Sequence, residues 1–332
     1  MSMKFSTLLA GLVLILALEA QASTKPLDLS QDKVQRFITQ MVQEHNFKTE
    51  TLQSIFKQAR HHESIIEAIS RPAESKPWYQ YRPIFLTRDR IQGGVRFWKQ
   101  NAATLARAHQ QYGVPQEIIT AIVGVETRYG KHKGRFPVID SLATLAFAYP
   151  PRSKFFTSEL EHYLLMTREE NLDPLKQLGS YAGAMGMPQF ISSSFRRYAV
   201  DFNGDGHRDL WSNHEDVIGS VANYFKTHRW QPGQPIASKV RVHGNRYKKL
   251  LKSGLKPEYS KQQLMDNGVI LPDGLPDELR GTLLEFETRD GPEYWIGWHN
   301  FYVISRYNHS ALYSLAVFQL SEKIRQQYQN KR

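Results

Sequence analysis

The sequence predicts a mainly α-helical fold with a small β part. Apolar residues recur at helical spacing through most of the chain to about residue 230. Short alternating or apolar runs, separated by Pro, Asp and Gly, follow between 232 and 297. A further helical segment closes the chain.

Residues 1–22 have the form of a secretory signal. Lys4 supplies a positive start, Leu8 to Leu18 an apolar core of 11 residues, and Ala20-Gln21-Ala22 a small-residue cleavage site before Ser23. Spanning a bilayer takes roughly 20 apolar residues. A cleaved leader is therefore expected, and with it an exported, soluble protein. The remaining ~310 residues suffice for a large core and two or three domains.

Residues 23–108 read as an N-terminal helical domain. Val34, Phe37, Ile38, Met41 and Val42 form one amphipathic stripe; Ile55, Phe56 and Ala59 another; Ile65, Ile66 and Ile69 a third. The segment Arg71 to Tyr79, with two prolines, breaks the helices. Trp78, Tyr79 and Tyr81 then form an aromatic group with two readings, core or a sugar-stacking groove.

Residues 109–231 read as a second helical unit. One helix carries Glu126, with Pro115 in its first turn and Gly130 as the left-handed residue past its end. Another lies near Ser158 to Arg168, and a third runs from Asp216 to about His228. The Gly- and Ala-rich segment Gly179 to Gly186 either lets a ligand approach the backbone or makes a tight turn. Residues 232–297 read as a small β-rich domain, with runs at Ala237 to Val242, Val269 to Leu271 and Thr282 to Thr288. Residues 298–332 return to the core and end in a helix from about Ser310 to Gln327.

The 332 residues carry a net charge of +11 and no cysteine. The missing cysteine excludes disulfides, thiol catalysis, cysteine-held zinc and lipid attachment at an N-terminal Cys. A basic exported protein is predisposed toward an anionic envelope polymer. Nucleic acid is not expected: the nearest basic run, His243 to Lys252, reads equally well as a solvated face. A monomer is expected.

Three groups of residues bear chemistry. Ile119, Ile122, Val123 and Glu126 share a helical face, so a carboxyl sits where the pattern asks for an apolar residue. Desolvation and the negative end of the helix dipole both raise its pKa, which describes a general acid. The competing reading is a buried ion pair, with Arg128 as one candidate. The second group, Asp201, Asn203, Asp205, His207 and Asp209, repeats the calcium-loop pattern with Gly206 at the sharp turn. Ser212 replaces the usual closing Glu, so Asp216, at the start of the next helix, is expected to close a structural Ca2+ site. The third group is Tyr307 to Tyr313. Asn308 either caps the last helix or joins a polar site wall.

Taken together these pieces resemble the lytic murein transglycosylase B family. The matching stretches are Gly124 to Gly130, Ser180 to Phe190, the Asp201 loop, Gly219 to Phe225, and Asn300 to Tyr302 through Tyr313. The resemblance covers nearly all of the chain after the leader. It implies a lysozyme-like α core, with cleavage of the MurNAc–GlcNAc β-1,4 bond of peptidoglycan without net addition of water. It makes Glu126 the catalytic residue. Ser180, Tyr181, Gln189, Tyr307, Asn308 and Tyr313 become site-lining groups, and Arg152 a substrate contact. It also implies glycan strands as partner, wall synthases or amidases as possible associates, and no organic cofactor. The family's lipidated form uses a Cys absent here, so a soluble periplasmic protein without a lipid anchor is indicated.

Ordinary glycosidases use two carboxylates. The matching motifs place only one on an apolar face. That suits a reaction in which Glu126 protonates the leaving oxygen, then removes the C6 hydroxyl proton as that oxygen attacks C1 to give a 1,6-anhydro end. A lysozyme-type muramidase and a non-catalytic wall-binding scaffold are the alternatives.

Overall fold

The computed structural model describes residues 24–70 and 76–330. The leader and most of the Arg71 to Tyr79 break lie outside the described residues. Among those described, no helix is long and apolar enough to cross a membrane.

The chain opens with strand β1 (Thr24–Pro26), then helices α1 (Asp32–His45) and α2 (Thr49–Gln58), strand β2 (Arg60–His62) and helix α3 (Glu63–Ser70). β1 and β2 pair antiparallel. The three expected stripes each lie on one of these helices or at its end. Four helices follow: α4 (Trp78–Phe85), α5 (Arg88–Gln100), α6 (Ala102–Tyr112) and α7 (Gln116–Thr127). A short antiparallel pair, β3 (Phe136–Pro137) and β4 (Leu178–Gly179), brackets α8 (Val138–Ala148) and α9 (Ser153–Glu169). Then come α10 (Ser192–Tyr198) and α11 (His214–Thr227).

The β-rich stretch contains β5 (Ala237–Val242), β6 (Tyr259–Ser260), α12 (Lys261–Asp266), β7 (Val269–Ile270), β8 (Arg280–Thr288) and β9 (Gly291–Gly297). All pairings in its five-stranded sheet are antiparallel, in the order β6-β8-β9-β5-β7. The expected runs near 237, 269 and 282 all lie on strands. The β9 strand carries Pro292 and Glu293, which hid it from pattern reading. Helices α13 (His299–Ser305) and α14 (Ala311–Gln329) close the chain.

α14 packs against α4, α5, α7 and α13. The largest apolar cluster draws on Phe37 and Phe56 at one end of the chain and on Val317, Leu320 and Ile324 of α14 at the other. A second cluster, including Leu264, Ile296 and Trp298, lies within the β-rich stretch. Trp78 joins a third with Phe286, Phe301 and Leu315, so it belongs to the core, 5.5 Å from the Phe286 ring.

Several local expectations need correction. α7 is apolar all round rather than along a stripe: Ile118 to Val125 are all buried, and Glu126 is the partly exposed residue of its last turn. Pro115 is the N-cap of α7, one position before the first turn. Gly130 is left-handed past the end of α7, as expected (φ 85°), but the turn begins two residues earlier, with Arg128 (φ 50°) as the C-cap. α11 begins at His214, where the Asn213 side chain accepts from the Glu215 and Asp216 amides, so Asp216 lies within its first turn. Ser310, not Asn308, caps α14 by accepting from the Tyr313 amide at 3.3 Å.

Candidate active site

Glu126 sits at the end of a helix buried on every side from Ile118 to Val125. Directly after it the chain folds back: Arg128 and Tyr129 both take left-handed backbone angles, φ 50° and 62°. Their amides return to the Gly124 and Val123 carbonyls, each at 3.2 Å. Such angles are strained for side-chain-bearing residues, and packing holds them. The Tyr129 ring fills the space that side chains at Gly93, Gly94 and Gly124 would need. A Cβ on Gly124 would lie 2.4 Å from the Tyr129 hydroxyl. That hydroxyl donates to the Arg90 carbonyl at 2.7 Å. Thr127 Oγ1 donates to the Met187 carbonyl at 2.9 Å and accepts from the Gly130 amide at 3.0 Å. The carboxyl is thus set on a braced turn.

Tyr313, on the first turn of α14, donates to Glu126 Oε1 at 2.5 Å. Burial among these groups pushes the Glu126 carboxyl up to about 7, and the Tyr313 bond acts in the opposite sense, favouring the ionised form. Burial, with the neighbouring Glu126 charge, pushes the Tyr307 and Tyr313 hydroxyls well above their ordinary value, so both stay protonated donors. Tyr81 is raised for the same two reasons, which places it in the electrostatic neighbourhood of Glu126. Among the described residues, no carboxylate is among the groups that shift Glu126 and no cation pairs with it. The ion-pair reading with Arg128 is therefore not what the fold contains.

The Gly- and Ala-rich segment lies beside this carboxyl. Tyr307 donates to the Pro188 carbonyl at 2.6 Å. Gln189 takes a left-handed angle, φ 54°, and its amide donates to the carbonyls of Gly186 at 2.9 Å and Lys133 at 3.2 Å. Ser180 Oγ accepts from the Ala184 and Ala182 amides at 3.0 and 3.3 Å, holding the turn. Gly134, at φ 96°, approaches the Gly179 carbonyl so closely that a Cβ would lie 2.0 Å from it.

Glu126, Tyr307, Tyr313 and the Pro188-Gln189 backbone are thus brought together. Arg152, Tyr181 and Asn308 are exposed, and among the described residues no hydrogen bond joins them to Glu126. The Arg152 guanidinium lies over the Phe155 ring at 4.2 Å and the Phe156 ring at 5.2 Å. Sequence reasoning placed Tyr81 in an aromatic group but gave it no link to Glu126. It also missed the wedge role of Tyr129; the glycines at 93, 94 and 124 were the available signal.

The Asp201 loop is ordered by its own backbone. Asp201 accepts from the Gly204, Asp205 and Gly206 amides at 2.7, 3.2 and 2.8 Å. Asp205 accepts from the His207 amide at 2.9 Å and from the Asn203 side chain at 2.8 Å. Asp209 turns back to the Trp211 and Ser212 amides. Asp216, fully buried, accepts from the Phe202 and Asp209 amides, both at 2.8 Å, and so ties the two ends of the loop. Burial pushes its carboxyl up, and those backbone bonds pull against that. The donors are hard oxygens that suit calcium. Among the described residues, however, no three His, Asp or Glu side chains converge on one point. Asp209 and Asp216 are engaged by backbone amides.

The model of the transglycosylase SLT domain matches residues 30–322. Over 300 residues the chain is 45% identical to membrane-bound lytic murein transglycosylase B of Escherichia coli (strain K12), covering 87% of this chain and 82% of that one. Its fold is similar to soluble lytic transglycosylase SltB1 from Pseudomonas aeruginosa, with a TM-score of 0.85 and 47% identity over 88% of this chain and 98% of that one. It is also similar to the Escherichia coli lytic transglycosylase Slt35, solved in complex with calcium. There the TM-score is 0.85 and the identity 42%, over 93% and 98% of the two chains.

Proposed function

The chain belongs to the transglycosylase SLT domain family and is a lytic transglycosylase of peptidoglycan; from that premise we propose that Glu126 carries both proton transfers of the reaction. The observation behind this reading is a carboxyl raised to about 7 and held by Tyr313 at 2.5 Å, with no carboxylate among the described residues that shifts it. At neutral pH both its forms are populated. The protonated form gives its proton to the glycosidic oxygen between MurNAc and GlcNAc as the C1–O bond breaks. The resulting carboxylate takes the C6 hydroxyl proton as O6 bonds to C1. The proton count closes on one residue, and no water is consumed.

Tyr313 has a distinct part. Its hydroxyl stays protonated and donates to the carboxylate that exists between the two transfers, stabilising it when it is charged. Tyr307, Gln189 and Ser180 are read as site wall, with the braced 180–190 turn beneath them. Arg152, Tyr181 and Asn308, exposed here, are read as contacts made by bound glycan. Asn308 is assigned to the sugar N-acetyl group.

The division at about residues 108, 231 and 297 is carried as part of the same reading. The separate apolar cluster of the β-rich stretch supports the boundaries at 231 and 297, whereas a single apolar cluster runs across 108. We also assign a structural calcium to the Asp201 loop, held by Asp201, Asn203, Asp205 and the His207 carbonyl. Asp209 and Asp216 order the loop around it. The support is the loop pattern and the calcium complex of Slt35. Export to the periplasm follows from the leader and from a wall polymer as substrate.

Digestion of purified sacculi in ¹⁸O-water, with the muropeptides weighed, tests the reaction. The expected products are 1,6-anhydroMurNAc ends without ¹⁸O. Reducing ends bearing ¹⁸O make the protein a muramidase, and intact sacculi make it a scaffold.

A further inference from the structure

Arg90, Arg96, Arg128 and Lys131 line, with Asp89 and Tyr129, a cavity of about 450 Å³ on the turn that follows Glu126. Four cations face one carboxylate there. Among the described residues none of the four enters an ion pair. Arg90 is 6% exposed. Its Nη1 donates to the Ile84 carbonyl at 2.9 Å, its guanidinium lies over the Phe85 ring at 4.9 Å, and its Nε finds no acceptor. A guanidinium carries five N–H donors and keeps its charge, so a buried one without an anion is incompletely satisfied.

Further features bear on the same cavity. Burial and the nearby Arg128 charge both push the Arg90 pKa down, so like charges are held close together. Arg128 cannot swing its backbone away, being fixed in the left-handed turn. The cavity also adjoins the start of α5, capped by Thr87, where the helix dipole presents its positive end. Convergent, unpaired guanidinium groups at a helix start are suited to an oxyanion, which Arg binds with two parallel hydrogen bonds.

We propose that this cavity binds a carboxylate of the peptide stems that peptidoglycan carries. The proposal rests on the substrate reading above. In that polymer the free carboxylates belong to the stems, and the sugars of the backbone are neutral. Arg128 is two residues from Glu126, so a strand lying on the carboxyl brings its stems near the cavity. The pocket then ranks strands by their stems while Glu126 acts on the glycan.

Arg96 and Lys131 are exposed and outside the proton-transfer groups, so Arg96→Gln with Lys131→Gln leaves the fold unburdened. Calorimetry on the whole chain at low salt measures three probes. They are the free stem tetrapeptide L-Ala–γ-D-Glu–meso-diaminopimelate–D-Ala, inorganic phosphate, and vesicles containing phosphatidylglycerol. The tetrapeptide is expected to bind, and the double variant to weaken it about tenfold or more. KM should rise on stem-bearing strands and stay unchanged on strands whose stem carboxylates are amidated. No tetrapeptide binding, or binding indifferent to the double variant, overturns the proposal. Variant-sensitive binding of phosphate or vesicles without the tetrapeptide overturns it as well and reassigns the pocket. Digests lacking anhydro ends, with tetrapeptide binding intact, sink the reaction and leave the pocket standing.

Discussion

The Tyr313 hydroxyl donates to Glu126 Oε1 at 2.5 Å across 187 positions of sequence. The two residues meet because the last turn of α7 lies against the first turn of α14. Ser310 fixes that start, accepting from the Tyr313 amide itself. One oxygen of the carboxyl is therefore committed to a protein donor. Among the described residues no other hydrogen bond reaches the Glu126 carboxyl.

Glu126→Gln should remove cleavage while keeping the fold. General acid–base groups contribute about 10² to 10⁴-fold each, and here one group serves twice. Muropeptide release is the readout, and activity within about threefold of wild type refutes the assignment. The same variant carries a stability signature. The folded carboxyl sits near 7, above its unfolded value near 4.5. The folded state therefore binds more protons than the unfolded state between those values, and stability falls as pH rises through that window. Gln removes this loss. Melting temperatures should differ little at pH 4 and favour Glu126→Gln by a few degrees at pH 8. A gap independent of pH counts against the raised carboxyl.

Tyr313→Phe removes the donor and keeps the ring. A hydrogen bond to a charged group is worth roughly 1.5–3 kcal/mol, so turnover should fall about 10- to 100-fold. Because the bond favours the ionised form, its loss pushes the Glu126 carboxyl higher. The alkaline limb of the pH–rate profile should move to higher pH than in the wild type. A reduced rate with an unmoved limb assigns Tyr313 to packing alone.

Gly134→Ala places a Cβ 2.0 Å from the Gly179 carbonyl at a φ of 96°. The backbone on both sides must shift, and a loss of about 2 kcal/mol or more is expected. Denaturant midpoints measure it. Because the strain falls on the turn holding Ser180, activity should fall further than stability alone explains. A neutral substitution shows that the two backbones do not meet.

Calcium should raise the melting temperature, and Asp201→Ala with Asp205→Ala should erase the rise. A ligand that binds only the folded state stabilises it by about 2.7 kcal/mol at a hundredfold excess over Kd. Superimposable curves in calcium and in chelator reduce the loop to a turn ordered by its own amides.

What the sequence made legible was local. An ionisable residue among Ile119, Ile122 and Val123 marked Glu126, and strand-length apolar runs marked three of the five main-sheet strands. What it hid depended on contacts between distant segments. Nothing near Glu126 announces Tyr313, and nothing near Tyr313 reveals which of Asn308 and Ser310 caps its helix. Both are good caps, and the choice falls to whichever backbone angle the preceding turn imposes. The α7 stripe was misjudged for a related reason. Pattern reading assumes one wet face, whereas α5, α6, α11 and α14 surround this helix. Pro292 at the edge of a hairpin concealed β9.

The dependence of the carboxyl on α14 has a consequence in time. A chain emerges from synthesis with its amino end first, so Glu126 arrives long before Tyr313. Until α14 has packed its Val317, Leu320 and Ile324 into the common core, the carboxyl lacks its donor and α7 lacks one of its walls. The geometry around Glu126 is therefore completed only when the last helix of the chain has packed.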